Sequence, residues 1–134
     1  MNEINAVGIA LLDQENRVLI AQRPSHKLFG DKWEFPGGKI EPGESIETCI
    51  IREIKEELDV DVITRDYVGV ECFDYKDSKV TMHLFTGTII DNAPFTLLEH
   101  QDARWVEAAE LGGYDFPAID LPLIQKLIEL LKVQ

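Results

Sequence analysis

From residue 45 to 58 the chain contains no glycine or proline and sets Ile50, Ile51, Ile54 and Leu58 within one sector at helical spacing, just after the break Pro42-Gly43. This predicts an amphipathic helix around which the rest of the chain must be arranged. Three carboxylates complicate its apolar face. At about 100° per residue, Glu53, Glu56 and Glu57 share a sector of roughly 100° beside the isoleucines rather than opposite them. Like charges at i,i+3 and i,i+4 destabilise a helix by about 0.2–0.5 kcal/mol each, and partial burial raises that cost. Either the acidic face is simply solvated, with Arg52 and Lys55 as local counter-charges, or a cation offsets the repulsion. Hard divalent cations, which take carboxylate oxygens together with substrate phosphates, have the required chemistry.

Sheet is predicted on both sides of this helix. Residues 4–12 and 17–22 are apolar or β-branched runs around the polar turn Asp13-Gln14-Glu15-Asn16, a hairpin signal. Residues 23–33 are polar and aperiodic, which predicts a loop, and Pro36-Gly37-Gly38 predicts a turn. Residues 60–75 and 80–90 are rich in β-branched and aromatic side chains and flank Lys76-Asp77-Ser78-Lys79, so a long hairpin follows. A short strand at 104–106 and a helix over 121–131 close the chain. There is no internal repeat or linker, so residues 1–134 are expected to form a single domain, a mixed sheet with helices on its faces.

Charge narrows the partners. Thirteen basic against 25 acidic side chains give a net charge of -12, which repels polymeric nucleic acid and anionic membranes. A phosphorylated small molecule remains compatible, because cations held by carboxylates reverse the local field. The N-terminus carries Glu3 instead of a basic segment, and no apolar run approaches the ~20 residues of a membrane span, so a soluble cytoplasmic protein is expected. Cys49 and Cys72 are expected to be reduced, packed thiols, with Cys49 unreactive beside so many carboxylates.

Gly38, Glu44 and then Arg52-Glu53-Ile54-Lys55-Glu56-Glu57-Leu58-Asp59-Val60 stand at a spacing that resembles the Nudix box, the signature of hydrolases acting on a nucleoside diphosphate linked to another group. Asp59 replaces its final glycine, at a helix end where glycine takes the left-handed conformation more readily than Asp. Outside the box, Trp33-Glu34-Phe35-Pro36-Gly37-Gly38-Lys39 and Asp115-Phe116-Pro117 leading into Leu121-Pro122-Leu123-Ile124 extend the resemblance over nearly the whole chain. It is similar to the MutT type, the 8-oxo-dGTP pyrophosphohydrolases, with the CTP pyrophosphohydrolases nearly as close.

The resemblance implies an α/β/α sandwich around a mixed sheet and a Mg²⁺ cofactor, with Mn²⁺ as a substitute. The implied reaction is hydrolysis of a nucleoside triphosphate to the monophosphate and pyrophosphate. By the same resemblance Glu53 activates water, Glu56, Glu57 and the Gly37 carbonyl bind metal, and Arg52 holds Glu53. Glu44 gives structural support, and Glu99 enters from a loop as a further metal-binding and catalytic glutamate. Arg23 lies near the nucleotide phosphates or sugar, Asp120 meets the base edge, and Phe35 with Trp33 offers apolar or stacking surface.

Read without the resemblance, Glu44 and Asp120 are helix-capping acids, Glu99 a surface acid, and Trp33 and Phe35 core aromatics. His26, His83 and His100 are expected to be ordinary surface or packed histidines. The leading expectation is oxidised dGTP as substrate. CTP or modified dCTP is the alternative, and a sugar-nucleotide or dinucleotide hydrolase of the same superfamily is a further one, although the short chain lacks an obvious extra domain for a second large group. A catalytically idle ligand-sensing domain would have lost box carboxylates that are all present. The chain is expected to be a monomer or homodimer.

Overall fold

The protein is described here by a computed structural model covering residues 2–133. Strand β1 (Asn2–Leu11) turns Val7, Ile9 and Leu11 to one face and Ala10 to the other, so it is buried on both sides. Both faces are covered, which makes it a central strand. It runs parallel to β6 (Ser78–Ile89) and antiparallel to β4 (Gly37–Lys39), and β6 is hairpinned to β5 (Val62–Tyr75), giving the order β4-β1-β6-β5. A second sheet has the order β3-β2-β7, from β3 (Trp33–Glu34), β2 (Val18–Gln22) and β7 (Asp102–Val106).

The expected hairpin forms only at its turn: Asn16 donates its N–H to the Asp13 carbonyl, Asp13 donates to the Arg17 carbonyl, and Leu12 bridges Val18, beyond which β1 and β2 part into different sheets. The reason lies in β2, where Val18 and Ile20 join one core cluster and Leu19 the other. A strand buried on both faces is best satisfied between two neighbours, here β3 and β7. The turn expected at 36–38 is also replaced by extended chain, because Gly37 and Gly38 pair with Gly8 and Val7 of β1. Trp33, expected in the loop, begins β3.

Helix α1 (Ile46–Leu58) starts at Ser45, whose hydroxyl accepts the Thr48 N–H, and buries Cys49, Ile50, Ile54 and Leu58 against β1. Ile51 departs from the expected face and is 45% exposed, one residue's rotation from Ile50. Asp59 adopts the left-handed conformation (φ 55°, ψ 42°) and donates its N–H to the Lys55 carbonyl, so the helix stops as a glycine would stop it. Helix α2 (Asp120–Lys132) covers the other face through Leu123, Ile124 and Leu127, completing the α/β/α sandwich. Cys72, expected to be packed, is exposed on β5. Among the described residues no helix is long and apolar enough to cross a membrane.

Candidate active site

The α1 carboxylates are placed by β4. A Cβ on Gly38 would overlap the Glu53 carboxyl group, so glycine is what lets this side chain lie directly on the strand. Arg52 then secures it. Its Nη1 donates to Glu53 Oε1 at 2.8 Å, while Nε and Nη2 grip Glu44 at 2.7 and 2.9 Å and Nη2 reaches the Lys39 carbonyl at 3.1 Å. The same arginine holds the Glu44 carboxyl down to about 2. Glu44 therefore acts as an anchor for Arg52 and, by accepting the Glu41 N–H at 3.0 Å, closes the preceding turn. Cys49 lies inside this cluster with its thiol pushed up to about 12 by burial and by Glu44, in line with the unreactive reading.

Glu57 is the most confined acid. It is 4% exposed, accepts the Gly37 N–H at 3.4 Å, and is pushed up to about 10 by burial, by a hydrogen bond with Glu53 and by the nearby Glu34 charge. Two carboxyl groups drawn together at a buried helix face and a neighbouring strand are the donor set of a hard divalent cation, which would relieve the repulsion that now favours a proton. Gly37, Glu53, Glu57 and Glu99 all line one cleft of about 890 Å³. Among the described residues no three such side chains already form a closed cage, so the rest of a coordination shell falls to waters and substrate oxygens. Glu56 is not among the cleft residues. Its side chain is 52% exposed and lies 3.5 Å from Arg52 Nη1.

The residues expected to meet the nucleotide, Arg23, Phe35 and Asp120, line the same cleft. Arg23 leaves β2, donating through Nε to the Leu28 carbonyl and through Nη1 to Glu34. Phe35 is buried against the Phe116 ring, 5.4 Å between centroids, and lines the cleft. Trp33 does not. It packs edge-on to Tyr114 under the Arg104 guanidinium. Asp120 is 5% exposed and is pushed up to about 7 by burial and then by the Glu34 charge. It caps nothing, since the cap position is Ile119, and its carboxyl has no hydrogen bond among the described residues.

Two site residues escape the sequence reading. Glu34 accepts from both Arg23 and His100, and the His100 side chain, expected to be a surface or packed one without a partner, is buried on that contact. A charged residue in the short strand before Phe35-Pro36-Gly37-Gly38 was the available hint for Glu34. Nothing local marks His100, whose partner is 66 positions away. His83 likewise has a partner, the Tyr67 hydroxyl at 3.3 Å.

A two-helix sandwich presenting an Arg-held glutamate and a buried glutamate to one cleft defines a hydrolase of the Nudix type, and the NUDIX domain family model matches residues 3–127. The chain belongs to the Nudix family. It is 30% identical to the CTP pyrophosphohydrolase of Escherichia coli (strain K12), over 92% of this chain and 91% of that one. It is 32% identical to the 8-oxo-dGTP diphosphatase of the same organism, over 91% and 93%. The crystal structure of MutT protein from Methanosarcina mazei Go1 superposes with a TM-score of 0.86 at 26% identity, covering 98% of this chain and 96% of that one. Nudix hydrolases use divalent metals, and this chain carries the box carboxylates that such metals require.

Proposed function

We propose that the chain is a Mg²⁺-dependent nucleoside triphosphate pyrophosphohydrolase, a single cytoplasmic domain that hydrolyses 8-oxo-dGTP to the monophosphate and pyrophosphate. The observation that carries the substrate reading is Asp120, a buried carboxyl with no hydrogen bond in the same cleft as Glu53 and Glu57. The Gly37 carbonyl with Glu53, Glu56, Glu57 and Glu99 would hold a divalent ion, which would supply charge neutralisation for the phosphates. Glu53, held by Arg52, takes the proton of the attacking water, and Glu99 at the cleft rim supports that step. Arg23 meets the phosphates or sugar. Phe35 forms an apolar wall for the base. Asp120 pairs with the base edge: as a carboxylate it accepts from the adjoining N–H groups of an oxidised guanine.

CTP is the second reading. It is favoured by the similarity to a CTP pyrophosphohydrolase and by the fit of a carboxylate to the cytosine amino group. A nucleotide panel with Mg²⁺, with phosphate and pyrophosphate products resolved, decides between them. We expect pyrophosphate release and the highest kcat/KM for 8-oxo-dGTP. In Asp120→Ala that value should fall roughly 5- to 150-fold while poorer nucleotides change little, as expected when a polar partner worth about 1–3 kcal/mol is lost. An unchanged substrate ratio with a lowered melting temperature would remove Asp120 from base recognition.

A further inference from the structure

We infer that His100 is a positioning residue that holds the Glu34 and Glu57 carboxyl groups and the Glu99 segment in one arrangement, an inference that rests on the hydrolytic reading above. The imidazole side chain is 4% exposed, with Nε2 2.7 Å from Glu34 Oε2 and 3.8 Å from Glu57 Oε1. A carboxylate can only accept, so Nε2 carries the hydrogen, and the ring is fixed in one tautomer and one direction. The second Glu34 oxygen accepts from Arg23 Nη1 at 3.2 Å. Each oxygen of Glu34 thus has one donor, one from the end of β2 and one from the loop before β7.

The backbone around His100 is fastened on both sides. Leu98 donates its N–H to the Glu57 carbonyl at 3.0 Å, and Gln101 donates its own to the Gln22 carbonyl at 3.0 Å. Between these ties, the His100 ring links the loop to Glu34 in the cleft, one residue from Glu99. Its Nδ1 is buried without a partner among the described residues. An aliphatic side chain would fill the same space without stranding a nitrogen, which costs about 1–3 kcal/mol when a buried polar atom goes unpaired. Space filling therefore does not explain the residue, whereas donation to Glu34 beside the Glu57 carboxyl does. Without that N–H, Glu34 loses the donor on Oε2, and its pairing with Arg23 is free to shift.

Three variants of the full chain test this: His100→Leu removes the donor, His100→Gln keeps an N–H of similar reach, and Glu34→Gln alters the acceptor from another element. Partners that orient metal-binding groups are worth about 10- to 100-fold, so His100→Leu should lower kcat by that factor with little change in KM. It should also weaken Mn²⁺ binding, titrated without nucleotide, by about tenfold, and His100→Gln should restore most of both. Adding Glu34→Gln to His100→Leu should cost less than the sum of the two alone. Wild-type kcat and Mn²⁺ affinity in His100→Leu, or equal damage in His100→Gln, would overturn the inference. Should His100→Leu fail to fold in a thermal melt, Glu34→Gln decides alone, and wild-type kcat and Mn²⁺ affinity there overturn it. A wild-type chain that hydrolyses no nucleoside triphosphate defeats the functional reading instead, while the Mn²⁺ titration still judges His100.

Discussion

Glu53 and Asp120 are both acids of the cleft, but their surroundings prepare them for different work. Glu53 lies against Gly38 with Arg52 2.8 Å from one oxygen, an arrangement that orients a carboxylate towards one point. Glu53→Gln keeps that shape and removes the base, so kcat should fall by about 10²–10⁴-fold with the melting temperature preserved; steady-state kinetics beside a thermal melt checks this, and a near-normal kcat would move the base to another residue such as Glu99. Asp120 has no such partner, and its carboxyl rises from 3.8 unfolded to about 7 in the fold. Between those values the folded state binds more protons than the unfolded one, so this group's contribution to stability declines as pH rises from about 4 to about 7 and is level above. Asp120→Asn should therefore gain stability relative to wild type at pH 8 and little at pH 4, by urea melts at both. A parallel shift at both pH values would show that Asp120 ionises freely in the fold.

Helix α1 and strand β4 form one working unit, since the strand supplies the absence of side chain that the helix needs. In Gly38→Ala the new methyl would meet the Glu53 carboxyl, and the cheapest relief is for that side chain to swing away from the strand. We expect most of the activity to be lost while the chain still melts cooperatively, because the apolar contacts of Ile50, Ile54 and Leu58 are untouched. Normal turnover in this variant would mean that Glu53 works from a different position. The far end of the helix is more tolerant. Asp59 reaches the left-handed conformation that glycine occupies in the resembled box, and its N–H is satisfied by Lys55.

In a chain whose net charge is -12, Glu53 and Glu34 both act on the buried Glu57 carboxyl. A divalent ion bound there and not to the unfolded chain stabilises by mass action. Millimolar Mg²⁺ or Mn²⁺ should raise the melting temperature, EDTA should abolish both that rise and the activity, and Glu57→Gln should lose most of the rise. Undiminished turnover in excess chelator would exclude the metal-dependent reaction.

What could be read from the chain alone was whatever depends on short range. The α1 period, the break at Pro42-Gly43, the long β5–β6 hairpin and the box spacing are local patterns, and each element stands within a few residues of its expected place. The acids of the box could be named because a single helix carries them and its geometry sets their separation. Other features depended on residues that meet only after folding. The parting of β1 and β2 follows from burial of β2 on both faces. Glu56 stays half exposed beside Arg52 while Glu57 is buried, because the position of β4 decides which helix face is covered. Glu34 receives Arg23 and His100 from separate elements, and a hydrogen bond spanning 66 positions leaves no mark on any local pattern. Spacing along the helix selected the metal-binding type of side chain, but only the packing of strand, helix and loop determined which carboxyls are buried, which donor each one meets, and so which of them share the cleft.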